Sequence, residues 1–100
     1  MLTKEKIFEI LRRELPYLKS AFSVKRIGIF GSFAKGIQKE DSDVDVLIEF
    51  EKPIGLNFIE LAEYIEKCLG RKVDIVTSGG LRGIRLKQVA KDIEKSVLYV

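Results

Sequence analysis

The segment Val24-Lys25-Arg26-Ile27-Gly28-Ile29-Phe30 reads as a strand and runs straight into Gly31-Ser32. Ten residues later a second strand-like segment opens with Asp43-Val44-Asp45. This pattern constrains the fold more than any other stretch, because strand side chains alternate between faces. Asp43 and Asp45 therefore point the same way, about 7 Å apart along the strand. Val44, Val46, Ile48 and Phe50 point the other way and are all apolar. A third segment, 72–77, repeats the arrangement: Val73 and Ile75 share one face, and Lys72, Asp74 and Val76 the other. In the first segment Ile27 and Ile29 share a face. The expected sheet has one face buried under helices and one face that carries acids. If the second and third strands are neighbours, the three aspartates converge.

Three carboxylates at such spacing repel one another unless something positive sits between them. Mg²⁺ suits the place, since it takes one or two carboxylates and fills its shell with phosphate oxygens. Taken singly, the parts are ordinary: Gly-Ser is a common turn pair, and Asp-x-Asp at a strand start is often solvated turn chemistry. Two other motif readings fail on their own terms. A calcium loop starting at Asp41 needs Gly in sixth place and Glu in twelfth, where the chain has Val46 and Lys52. A P-loop starting at Gly31 needs Lys and Ser or Thr after its second glycine, where Ile37 and Gln38 follow Gly36. What survives is the combination of a Gly-Ser turn after a strand, a pair of aspartates at fixed spacing, and a third aspartate alone on a later apolar strand.

That combination resembles the DNA polymerase β-like nucleotidyltransferase superfamily, and within it the minimal nucleotidyltransferase (MNT) branch. Gly31, Ser32, Phe33, Asp43, Asp45 and Asp74 carry the resemblance, which extends over nearly the whole chain. It implies that Asp43 and Asp45 bind metal, with two Mg²⁺ ions. It implies that Asp74 completes the metal site and helps activate an attacking hydroxyl. The Gly31-Ser32 turn would hold the triphosphate of ATP. MNT proteins pair with HEPN-domain proteins as antitoxin with toxin, so the implied reaction is adenylylation of a tyrosine on a HEPN-domain partner. Two alternatives stand beside it: an antitoxin that neutralises its partner by binding without catalysis, and a nucleotidyltransferase acting on a small molecule or nucleic acid. The net charge of +3 is modest, and nucleic acid is not expected as a direct ligand.

One hundred residues leave room for a single domain, 1–100, with a thin core. No run of 18 apolar residues is present, so no membrane span is expected. The one cysteine, Cys68, excludes an internal disulfide, suits a reducing cytoplasm and reads as a core residue. There is no histidine, which removes a His base, a His metal ligand and the HEPN ribonuclease motif itself.

The remaining elements follow from periodicity. Thr3 can cap a helix reaching about Lys19, with Ile7, Phe8, Leu11, Leu15 and Leu18 as its apolar stripe and Pro16 kinking or shortening it. The connection 31–42 has room for one short helical turn, and its Lys35 and Lys39 read as solvated charges. A helix over 56–69 presents Phe58, Leu61, Ala62, Ile65 and Leu69, and Gly70 closes it. A loop at 78–80, a helix from 83 or 84 to about 94, and a short edge strand at 97–100 complete the chain. The expected class is α/β: a small mixed β-sheet with helices packed on one face, in the order α-β-β-α-β-α-β, the nucleotidyltransferase fold. Within 81–100, Arg82, Arg85 and Lys87 are candidates for a basic partner-facing patch or for solvated helix charges.

Overall fold

In the computed structural model, which describes residues 2–55, 57–77, 93 and 95–100, Thr3 starts the first helix. Its Oγ1 accepts a hydrogen bond from the Lys6 N–H at 3.2 Å, satisfying one of the amides a helix start leaves free. The helix, α1 (Lys4–Phe22), runs three residues past the expected end. Pro16 does not stop it. Proline removes one ladder bond, but Pro16 lies on the exposed side of α1, where water can take the freed carbonyl. The stop comes at Ser23, which adopts a left-handed conformation (φ 56°) and returns its N–H to the Leu18 carbonyl.

Strand β1 (Val24–Phe30) then leads into a short helix, α2 (Gly31–Lys35). Strand β2 (Val44–Phe50), helix α3 (Asn57–Leu69), strand β3 (Val73–Thr77) and strand β4 (Leu98–Tyr99) follow. The sheet order is β3-β2-β1-β4, with β2 antiparallel to β1 and parallel to β3, and β4 antiparallel to β1. The mixed sheet and the order of the described elements agree with expectation, α2 being the short turn foreseen in the connection. The expected loop at 78–80 and most of the last expected helix lie outside the described residues. So do Arg82, Arg85 and Lys87.

The main core forms between one sheet face and the two long helices. Ile7, Ile10, Leu11, Leu18 and Phe22 of α1 and Leu61, Ile65 and Leu69 of α3 meet Ile27 and Ile29 of β1 and Val44, Val46 and Ile48 of β2. A register shift between Val24 and Arg26 turns Val24 into the same core, so the burial of β1 does not follow strict alternation. Tyr64 of α3 donates its hydroxyl to Glu14 of α1, tying the helices together near the water. Cys68 is only half-buried beside them, against the core rather than in it, and burial pushes its thiol pKa up, away from the reactive thiolate.

The acid-bearing face is not left bare, as the simple two-faced picture would have it. Leu47 and Val97 are buried there, with Phe30, Val76 and Ile93 packed around them. Gly28 makes this cover fit: a Cβ built on it would stand 2.6 Å from a Val97 methyl and 2.9 Å from the Leu98 carbonyl oxygen. Beyond this patch Arg26 lies over the Tyr99 ring, 4.0 Å from its centroid, and its Nε donates to Glu49 at 2.6 Å. The chain's C-terminal segment thus covers one half of this face, and the aspartates occupy the other. No helix among the described residues is long and apolar enough to cross a membrane.

Candidate active site

Strand register decides which side chains meet. Antiparallel pairing sets Phe30 of β1 opposite Asp45 of β2, and parallel pairing sets Asp45 opposite Asp74 of β3. Asp45 is therefore the centre of a row that runs across three strands. The row begins where β1 ends, so the residue after Phe30 meets Asp45 as well. That residue is Gly31, with φ 73°, a conformation in which side chains other than hydrogen are disfavoured. A Cβ on Gly31 would fall on the Asp45 carboxylate. The glycine thus has two requirements at one position: a left-handed turn into α2 and the close approach of the backbone to an acid.

Asp43 precedes β2 rather than opening it, one residue later than the expected strand start. It is exposed, as is Asp74, while Asp45 is half-buried. Burial first, and then the charges of Asp74 and Asp43, raise the Asp45 carboxyl above the usual carboxylate range. Among the described residues none of the three aspartates forms an ion pair. Nor are three acidic side chains among them closed around one point as a preformed cage. The set is an open row of oxygen donors with mutual repulsion. That chemistry fits a hard divalent cation whose remaining ligands come from phosphate and water, as Mg²⁺ prefers.

Ser32 is the second residue of α2 and half-buried. Its carbonyl accepts from the Ile37 N–H at 3.0 Å, and Gly36 ends α2 in a left-handed conformation. The connection then closes a second turn. The Lys39 N–H donates to Ser42 Oγ at 2.8 Å, and the Ser42 N–H donates to the Lys39 carbonyl at 3.1 Å. Lys35 and Lys39 are exposed, in line with their reading as solvated charges.

Sequence reasoning passed over Arg71. This half-buried residue sits between α3 and β3. Its Nη2 donates to the Ser42 carbonyl at 2.6 Å, and its guanidinium carbon lies 5.7 Å from the centroid of the Phe33 ring. Next to it, the Lys72 carbonyl accepts from the Val44 N–H at 3.0 Å. The available signal was position alone: an arginine three residues before the third aspartate, just ahead of β3.

Residues 4–100 match a family described as the nucleotidyltransferase domain. A protein adenylyltransferase MntA of Thermococcus cleftensis is 46% identical over the whole of this chain and 98% of its own length. A solved minimal nucleotidyltransferase superposes with a TM-score of 0.75 at 28% identity, over 97% of this chain and 95% of that one. A chain in the solved complex of a tri-AMPylated Shewanella oneidensis HEPN toxin with an MNT antitoxin has a TM-score of 0.55. At 20% identity over 96% of this chain and 67% of its own, it shows likeness of fold.

Proposed function

Because the chain belongs to the nucleotidyltransferase domain family and is a nucleotidyltransferase, we propose that it transfers AMP from ATP to a tyrosine hydroxyl of a HEPN-domain toxin, acting as its antitoxin. Residues 1–100 are, on this reading, one minimal catalytic domain. The observation that carries the reading is the row across the sheet: Gly31 against Asp45, and Asp45 level with Asp74. It sets a turn able to hold a triphosphate directly beside a carboxylate row whose chemistry suits a divalent cation.

In the reaction the acceptor oxygen attacks the α-phosphorus of ATP. The bond from that phosphorus to the bridging oxygen breaks, pyrophosphate leaves with that oxygen, and the hydroxyl proton is given up. Asp43, Asp45 and Asp74 would hold two Mg²⁺ ions, which when bound neutralise phosphate charge and make the acceptor hydroxyl more acidic. The other parts are this chain's own. Gly31 lets the backbone come close enough for the phosphates to lie beside Asp45. Ser32 and the N–H groups that follow it offer neutral donors to the terminal phosphates. Asp74, across Asp45 from Gly31, would help to activate the acceptor hydroxyl. Positioning and charge supply most of the acceleration in such a site.

The relatives support this choice of partner. The MntA relative is a protein adenylyltransferase, and in the Shewanella complex the HEPN toxin carries AMP.

Substitutions at the two ends of the row test the roles. Ser32→Ala removes one neutral hydrogen-bonding group, so transfer should fall only in part, by about 3- to 10-fold, chiefly through ATP affinity. Asp74→Asn removes a charged ligand beside the acceptor, so turnover should fall by about 10³-fold with ATP still bound. Steady-state transfer assays with calorimetric ATP titration separate the two. The reverse ranking would show the roles to be wrongly assigned.

A further inference from the structure

We infer that Arg71 is a positioning residue that fixes Ser32 and Asp43, at the two ends of the loop after α2, relative to each other and to β3. Phe33 immediately follows Ser32, and Ser42 immediately precedes Asp43. Arg71 touches both: its ring contact is with Phe33, and its Nη2 hydrogen bond is with the Ser42 carbonyl. The two motifs are joined through the chain only by the loop after α2, which has exposed residues at 35–37 and 39–41. Pairing of β1 with β2 already sets Gly31 against Asp45, but it does not reach Ser32 or Asp43, which lie outside the strands. The third anchor is rigid. Arg71 stands between the end of α3 and β3, and the adjoining Lys72 carbonyl receives the first ladder bond of β2. One guanidinium therefore ties Phe33 and Ser42, the neighbours of Ser32 and Asp43, to the start of the strand that bears Asp74.

The chemistry of the side chain suits the task. A guanidinium is planar and stays charged, so it can lie on an aromatic ring while its edge donates to a carbonyl. Lysine offers a point charge without the flat face. Arg71 is not itself a member of the hydrophobic core, but the ring it lies over, Phe33, is.

The inference rests on the AMP-transfer reading for its kinetic arm and on the fold alone for its second arm. In Arg71→Ala, kcat for AMP transfer should fall by about 10- to 100-fold, because each half-site still binds its part of ATP but the two are misaligned. The KM for ATP should change by no more than about twofold. Arg71→Lys should keep most of the defect, since charge alone does not supply the planar contact. In parallel, hydrogen exchange at the Ile37 and Ser42 amides should quicken by about tenfold in both variants, with α1 and α3 unchanged.

An unaltered kcat in Arg71→Ala would overturn the inference. So would a rise in KM alone, or full activity in Arg71→Lys. If the wild-type protein transfers no AMP, the functional reading fails and the exchange arm still decides. Faster exchange confined to the loop then supports the positioning role, and unchanged exchange rejects it.

Discussion

Asp45→Asn is expected to abolish AMP transfer and, at neutral pH, to make the protein more stable. Both effects have one origin. Asp45 sits at the centre of the row, half-buried, with Asp74 level with it and Asp43 two residues before it. Its carboxyl is raised above the ordinary range by burial and by those two charges. A raised pKa means that the folded chain holds the proton more tightly than the unfolded chain does. The stabilisation from that proton is present below the ordinary Asp value of about 3.9 and is lost as pH climbs through the raised one. At pH 7 ionised Asp45 therefore costs stability, and a neutral amide removes the cost. The melting temperature of Asp45→Asn should exceed wild type at pH 7, with the gain shrinking towards nothing near pH 3. Transfer should fall by about 10³-fold or more, since the variant cannot hold charge where the reacting phosphate is neutralised. A variant less stable than wild type at pH 7 would show Asp45 to be structural.

Gly31→Ala should remove activity for a different reason, and Gly36→Ala provides the control. Both glycines have φ near +73° (73° and 74°), so both alanines carry the left-handed penalty, about 1–2 kcal/mol. They differ in what the new methyl meets. At Gly36 nothing lies within 4 Å, whereas at Gly31 the methyl falls on the Asp45 carboxylate. Gly36→Ala should lower stability by that amount and leave transfer within a few-fold of wild type. Gly31→Ala should lose more stability and at least about 10²-fold in transfer, because the carboxylate or the turn must move. Denaturant midpoints and initial rates for the two variants measure the difference. Equal activities would show that contact between turn and acid is not needed.

Much of this arrangement could be read from the residues. Alternation placed Asp45 on one side of β2 and Asp74 on the corresponding side of β3, and a strand is regular enough for that to hold; Asp43 lies just before β2, where alternation does not reach. The pairing of β2 with β3 was the open condition, and parallel register brings Asp45 and Asp74 level. Thr3 capped its helix as expected because a cap is a local interaction. What escaped reading depends on distant parts of the chain. Pro16 carries a strong local signal for a break, but it faces water on a helix held from the other side by Ile7, Leu11 and Leu18. The cover over Gly28 comes from Val97 and Leu98, some seventy residues away. Arg71 escaped for the same reason, since its meaning lies in Phe33 and Ser42, which only the fold brings to it.

The most direct test of the central proposal is a mass measurement on the partner. The chain is co-expressed with the protein encoded by the neighbouring reading frame, the expected HEPN-domain partner, the complex is purified, and it is incubated with ATP and Mg²⁺. The expected result is the mass of AMP added to a tyrosine of the partner, dependent on both ATP and Mg²⁺ and absent with Asp45→Asn. A stable complex whose partner stays unmodified under those conditions would contradict the proposal, leaving an antitoxin that acts by contact alone.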